Sequence, residues 1–374
     1  MNKRLLITST DLMMVQFLVP HVINLSNQGF DIDLACSEVG NRFHEIEEKL
    51  APYVNKIYKI SLRRSPVSIK NFKGYSEMLK VISSGKYDYI WTNEPVMGVV
   101  TRLAARQARR RHNTKMMYMA HGFHFYTGAP ALNWMIFYPI EKFMARITDL
   151  LVTVNHEDFE RTKSFRTKKI AYIHGIGINT GRLSRLNNGS DIRKELGLDP
   201  HSFLVLSVGE LNKNKNQKTI IDAIHIIPNN NVHYLICGKG DEELNLKNQV
   251  SQYGLENRIH FLGYRFDVMD ICSQSDIYIM PSHREGLPVS SLEAMYCGLP
   301  LITSDIRGLV DVNKHGVNGF LCRPNDASAF AKYILCLYND MSMRKNMGKR
   351  NKTDVIPYTV DCTKVEIENL LATL

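Results

Sequence analysis

Short apolar runs alternate with segments of helical spacing along almost the whole chain. In the first half, Arg4–Thr8, Asp31–Cys36, Tyr87–Thr92, Lys115–Ala120, Asp149–Val154 and Lys169–Ile173 predict strands. Between them lie amphipathic segments such as Val15–Gln28, which Gly29 closes as a C-terminal cap. Strands that alternate with helices imply βαβ units and a parallel sheet. Residues 174–190, rich in Gly, Asn and Ser, read as a linker, after which the pattern restarts. Phe203–Val208, Val232–Cys237, Arg258–Phe261, Ile277–Met280 and Leu299–Thr303 predict a second set of strands. The expectation is therefore α/β, with two sheets of similar size in domains 1–175 and 176–358. A segment at 359–374, helical from Val360, would pack back on the first domain. Ligands would bind at the C-terminal ends of the strands, in a cleft between the domains.

Composition narrows this picture. With 374 residues, 44% hydrophobic and 22% charged, the chain can bury a large core. Its seven cysteines are scattered without a CxxC pair, which disfavours a zinc or dithiol site and fits a reducing compartment. Lys3 and Arg4 precede Leu5-Leu6-Ile7, but Thr8, Ser9, Thr10 and Asp11 break the apolar stretch at once. That segment reads as a first core strand rather than a secretion signal. No run approaches the roughly 18 apolar residues that a membrane span requires, so a cytoplasmic protein is expected, peripheral on a membrane at most. The formal charge is uneven: residues 1–175 carry 25 Lys and Arg against 15 Asp and Glu, while 176–374 carry 22 of each. The whole excess of +10 lies in the first half and points to an anionic partner.

The most informative segment is Pro281–Pro300, PSHREGLPVSSLEAMYCGLP. Gly286-Leu287-Pro288 forms a turn between a strand and a helix at about Val289–Tyr296. Backbone N–H groups at such a helix start have no intrahelical partner and can bind a diphosphate. Glu285 lies before the turn and Glu293 inside the helix, where carboxylates can accept hydroxyl donors from a sugar or ribose. On spacing alone, the pair also fits a solvated turn and a helix-face acid.

The block Ser282, Glu285, Gly286, Pro288, Glu293, Ala294, Met295, Gly298 and Pro300 resembles the E-x7-E signature of family-4 retaining glycosyltransferases of GT-B fold, of the bacterial exopolysaccharide and capsule type. Val208-Gly209-Glu210-Leu211-Asn212-Lys213-Asn214-Lys215-Asn216 looks like that family's G-R-L-x-x-x-K-G loop. Phe261-Leu262-Gly263-Tyr264 resembles its nucleobase loop, and Gly316-Val317-Asn318-Gly319-Phe320 its late G-x-x-G turn. The resemblance implies two Rossmann-like domains facing across a cleft. It also implies that Glu285 contacts the donor sugar, Glu293 the ribose and Lys215 the diphosphate. Gly209, Tyr264, Gly286, Leu287 and Pro288 complete the implied donor site. Two departures stand out: Glu210 occupies the usual Arg position and Asn216 the usual Gly, with Lys213 or Lys218 available to compensate for the lost cation.

In the first half, Ala120-His121-Gly122-Phe123 is similar to the family's cleft histidine segment, which implies contact of His121 with donor sugar or acceptor. The first loop, Ser9-Thr10-Asp11-Leu12-Met13-Met14, lacks the glycine-rich turn common in the family. His21 and His124 read as structural or peripheral. Arg102, Arg106, Arg109, Arg110 and Arg111 fit a solvated helix face and C-terminus. Joined with Arg63-Arg64, Lys70, Lys73 and the Trp134-Met135-Ile136-Phe137-Tyr138 stretch, they also fit an anionic membrane surface. No nucleic-acid motif occurs.

The reaction that the resemblance implies is retaining transfer of a sugar from a nucleotide diphosphate, expected to be UDP, to an acceptor hydroxyl, expected on a lipid-linked glycan. Asp31-Ile32-Asp33 lies inside a strand, so no acidic pair suits a metal, and neither metal nor cofactor is expected. Another GT-B enzyme such as a nucleotide-sugar epimerase, or a non-catalytic nucleotide-sugar-binding subunit, stays open beside it.

Overall fold

Two parallel sheets organise the chain in the computed structural model, which describes residues 3–10, 12–37, 43–63, 65, 68–182 and 191–374. Asp11, Arg64 and part of the expected linker, 183–190, lie outside the described residues. The first sheet contains β1 (Arg4–Ser9), β2 (Asp31–Cys36), β3 (Lys56–Lys59), β4 (Tyr89–Asn93), β5 (Lys115–Ala120), β6 (Leu150–Thr153) and β7 (Lys169–Tyr172). Their spatial order is β3-β2-β1-β4-β5-β6-β7. The second sheet contains β8 (Phe203–Val208), β9 (Val232–Cys237), β10 (Ile259–Gly263), β11 (Ile277–Met280), β12 (Leu301–Ser304) and β13 (Gly319–Cys322), in the order β10-β9-β8-β11-β12-β13. Each sheet therefore reverses its winding direction once, between β1 and β4 in the first and between β8 and β11 in the second.

Central strands such as β9 are buried along their length, because helices cover both faces of a parallel sheet. Edge strands obey a weaker pattern. Lys56–Lys59 keeps both lysines exposed, so it carries no continuous apolar signal and sequence periodicity misses it. Gly319–Cys322 starts inside a segment that reads as a turn, which hides it in the same way.

The chain divides into one unit of residues 1–177 with 360–374 and a second of residues 178–359. Helix Val360–Ala372 belongs to the first unit and packs on helix Leu12–Asn27, where Asn24 bonds to Glu368. Glu366 accepts the backbone N–H of His174 at 3.0 Å and bonds its ring Nδ1 at 2.6 Å. His21 is buried nearby, its Nε2 2.7 Å from the carbonyl oxygen of Ile176. Burial holds its pKa down, at about 4, as expected of a structural histidine.

The basic cluster requires a correction. Arg102 does not lie on a solvated face: it is fully buried, stacked over the Tyr118 ring at 3.8 Å and paired with Glu141 at 2.8 Å. An inward guanidinium survives because Glu141 neutralises it and the aromatic ring covers its plane. Arg109 is likewise engaged, with Asp149 at 2.6 Å. Only Arg106, Arg110 and Arg111 of the five are exposed. Trp134, Phe137 and Tyr138 are half-buried against the cluster around Phe125 and Phe165 rather than presented outward.

Candidate functional site

Loops that leave the carboxyl ends of β8 and β11 flank the winding reversal of the second sheet, the place where open α/β sheets bind ligands. The β8 loop carries Gly209 and Lys215; the β11 loop carries Glu285 to Pro288. Two asparagines stitch them together. Asn214 donates to the carbonyl of Arg284 at 2.9 Å and accepts from the His283 backbone N–H at 2.8 Å. Asn216 donates to the carbonyls of Pro281 at 3.1 Å and Pro324 at 2.8 Å. Asn216 also adopts a left-handed conformation, φ +55°, at the start of helix Gln217–Ile226. Asn tolerates that conformation better than other residues with a Cβ, so the exchange of Gly for Asn preserves the backbone path.

These bonds bring Lys215 Nζ to 2.7 Å from Glu285 Oε1, with both side chains mostly buried. Arg307, after β12, is buried beside the same loop and its Nε donates to the Glu285 carbonyl at 3.2 Å. Sequence reasoning missed this residue. Its one signal is a lone cation directly before Gly308, just past a core strand. By contrast, Glu210, Lys213 and Lys218 are all exposed. The cation that the structure adds beside Glu285 is thus Arg307, on a different loop.

Close backbone approach explains two glycines. A Cβ on Gly308, whose φ is +78°, would meet the carbonyl oxygen of Gly286 at 2.0 Å. One on Gly238 would meet the carbonyl oxygen of Gly209 at 1.8 Å. The β8, β9 and β10 loops are further tied by Leu211 N–H to the Lys239 carbonyl at 3.0 Å and Gly238 N–H to the Gly263 carbonyl at 2.8 Å. Pro288 occupies the position before helix Val289–Cys297, and the Tyr278 hydroxyl, 2.8 Å from Ser290 Oγ, pins the helix start to β11. Leu287 and Glu293 are half-buried, the latter within helix Val289–Cys297. Tyr264 follows β10 and stands 48% exposed, edge-on to Phe266 at 5.1 Å.

His121 belongs to the first unit and directly follows β5. Its Nε2 lies 3.0 Å from Asn93 Oδ1, while Asn93 Nδ2 donates to the Thr8 carbonyl at 3.2 Å. With the amide nitrogen so engaged, the network assigns the proton to His121 Nε2 and leaves Nδ1 as an acceptor. Burial lowers its pKa to about 4, so the ring is neutral near pH 7. The first loop, without a glycine turn, is held by Glu94, whose carboxylate accepts from Ser9 Oγ and the Thr10 N–H, each at 2.7 Å. Among the described residues no group of His, Cys, Asp and Glu is placed to hold a metal, and no helix is long and apolar enough to cross a membrane.

Comparison with known proteins matches this geometry to a family. Residues 5–155 match the family "Glycosyl transferase 4-like" and residues 189–354 the family "Glycosyl transferases group 1". EpsD of Bacillus subtilis, itself provisionally named a glycosyltransferase, is 33% identical over 99% of this chain and 96% of its own length. The Escherichia coli UDP-Gal:alpha-D-GlcNAc-diphosphoundecaprenol alpha-1,3-galactosyltransferase is 30% identical over 84% of this chain and 82% of its own. In structure, HepE of Anabaena, crystallised with UDP and glucose, superposes with a TM-score of 0.82 at 20% identity, covering 100% of both chains. Sucrose-phosphate synthase of Thermosynechococcus elongatus gives 0.78 at 19% identity, covering 100% of this chain and 99% of its own. The chain, two Rossmann-like units with a cation–carboxylate pair at the winding reversal of the second, belongs to the group 1, GT4-like glycosyltransferases of GT-B fold.

Proposed function

We propose that this glycosyltransferase moves a sugar from a UDP-sugar to a hydroxyl of a lipid-linked glycan, with retained anomeric configuration, at the inner face of the cell membrane. The second unit is the donor half and the first the acceptor half. The observation that carries this reading is the Lys215–Glu285 pair at 2.7 Å, with Arg307 Nε on the Glu285 carbonyl. When donor enters, Lys215 exchanges its carboxylate partner for the diphosphate, and Glu285 turns to the sugar. The bond from C1 to the diphosphate breaks, the acceptor oxygen bonds to C1, and the acceptor proton leaves with UDP. Negative charge grows on the leaving diphosphate, where Lys215, Arg307 and the start of helix Val289–Cys297 stabilise it. These fixed charges support a reaction that needs no metal. Glu293 accepts the ribose hydroxyls, the loop at Tyr264 holds the base, and neutral His121 offers Nδ1 to a sugar hydroxyl. The activity for which the Escherichia coli relative is named, with a UDP-sugar donor and a diphosphoundecaprenol acceptor, supports both substrate classes.

The test is transfer of labelled sugar from UDP-glucose, UDP-galactose and UDP-N-acetylglucosamine to a polyprenyl-diphosphate-linked saccharide in EDTA. Lipid-soluble product with the donor's anomeric configuration, read by NMR coupling, is expected. A product of inverted configuration would sink retention, and activity restored only by Mg²⁺ would sink the metal-free step. If UDP fails to stabilise the protein thermally, the donor assignment is wrong.

A further inference from the structure

Helix Ala131–Ala145 presents its apolar side to solvent. Leu132, Met135, Ile136, Ile140 and Phe143 are all exposed, Met135 to 74% and Phe143 to 52%. Positions 132, 136, 140 and 143 recur every three or four residues, with Met135 beside Ile136, which sets them in one stripe about 16 Å long at ~1.5 Å per residue. The opposite side already has its partners: Glu141, Met144 and Ala145 are buried, and Trp134 and Tyr138 pack on Phe125. The stripe is therefore surplus to the core, and contiguous exposed apolar surface of this kind marks an interaction site.

Charge around the stripe selects the partner. The helix has one acid, Glu141, and it is turned inward onto Arg102 and Tyr118. Its exposed charges are Lys142 and, at the C-terminal cap, Arg146. Arg109 donates to the Ile147 carbonyl, just past that cap, which sets helix Arg106–His112 beside it with Arg106 and Arg110 exposed. Apolar residues rimmed by cations, with no outward acid on the helix, match the interface of a bilayer rich in anionic lipid. A partner protein or second copy would need no such one-sided charge.

We infer that helix Ala131–Ala145 lies in the interface of an anionic membrane, inserting Leu132, Met135, Ile136, Ile140 and Phe143 between headgroups. Lys142, Arg146, Arg106 and Arg110 meet the lipid phosphates. This deepens the lipid-linked reading above by naming the element that brings the enzyme to its acceptor's surface. It fails separately from that reading, because its test measures vesicle binding and not transfer.

The experiment is co-sedimentation of the full chain with vesicles of phosphatidylcholine alone or mixed with phosphatidylglycerol, at low and high salt. Binding to the mixed vesicles only, weakened by salt, is expected. Met135→Ser/Phe143→Ser should weaken it about tenfold or more at low salt, and Arg106→Ser/Arg110→Ser should remove most of its lipid-charge dependence. UDP binding by calorimetry should be unchanged in all variants, which checks that they fold; the single Met135→Ser serves if the double variant does not. Wild type that ignores phosphatidylglycerol, or apolar variants that bind as wild type does, would overturn the inference. So would a wild-type dimer in sedimentation velocity that Met135→Ser/Phe143→Ser converts to monomer, since the stripe would then bind a second copy.

Discussion

The two winding reversals are built from different materials. Between β8 and β11 the backbone is the instrument: loops approach to contact at Gly286 and Gly308, and a Lys–Glu pair closes the end. Between β1 and β4 side chains do that work, through Ser9, Thr10 and Asn93 with Glu94 and His121. A ligand gripped by backbone groups, such as the diphosphate proposed for the second reversal, constrains the backbone path and leaves spaced glycines and prolines in the sequence. A network of side-chain hydrogen bonds can be made from many residue combinations and leaves no such spacing.

The sharpest way to break this contrast is Lys215→Ala. If the second reversal holds a diphosphate, turnover should fall about 10²–10³-fold, while the melting temperature stays near that of wild type. Near-normal turnover in the purified variant would remove Lys215 from the site. Gly308→Ala comes next, because its Cβ must displace the Gly286 carbonyl from a position 2.0 Å away. A loss of about 1–3 kcal/mol in stability, with weaker UDP binding, is expected from overpacking at positive φ. Unchanged UDP affinity by calorimetry would show that the close approach does not shape the donor loop. A subtler comparison lies between the two glutamates. Glu293→Gln should weaken binding of UDP, which carries no sugar, by about tenfold, and Glu285→Gln by less. Equal losses would erase the division of roles.

The last effect belongs to the first unit and depends on pH. His21 and His121 both have folded pKa values of about 4, below the ordinary 6.5. Between those values the unfolded chain binds the extra protons, so stability falls as pH drops from 6.5 towards 4 and levels off below. For fully buried His21 the loss is about 1–3 kcal/mol across the window. His21→Gln, which can still donate to the Ile176 carbonyl, should flatten the fall in melting temperature between pH 7 and 4.5. An identical slope in the variant would assign the acid sensitivity elsewhere.

How far the sequence was legible follows the same division. Strands buried on both faces, β2, β5, β8, β9 and β11, announce themselves over the residue ranges they occupy. The edge strands Lys56–Lys59 and Gly319–Cys322 do not, because half their positions face water or serve a turn. Lys215 and Glu285 were visible as motif residues, and the structure adds that they touch. Arg307 was invisible because its relevance depends on a loop that returns from another strand. Arg102 misled by its neighbours: followed by the exposed Arg106, Arg110 and Arg111, it looks like one of them, yet it shares the inward face of its helix with Gly98. The stripe on helix Ala131–Ala145 was half-read, since the aromatic residues attract the eye while the outward positions are mostly aliphatic.

Helix Val360–Ala372 has a consequence for how the protein is made. The first unit is complete only when this helix covers helix Leu12–Asn27, yet the entire second unit is translated in between. At about 5–20 residues per second, the ribosome leaves the first unit unfinished for roughly 10–40 s. The domain that emerges first is therefore the last to be sealed. During that interval its uncovered helix is a natural client for chaperones, and a premature stop near the end of the message harms the beginning of the protein.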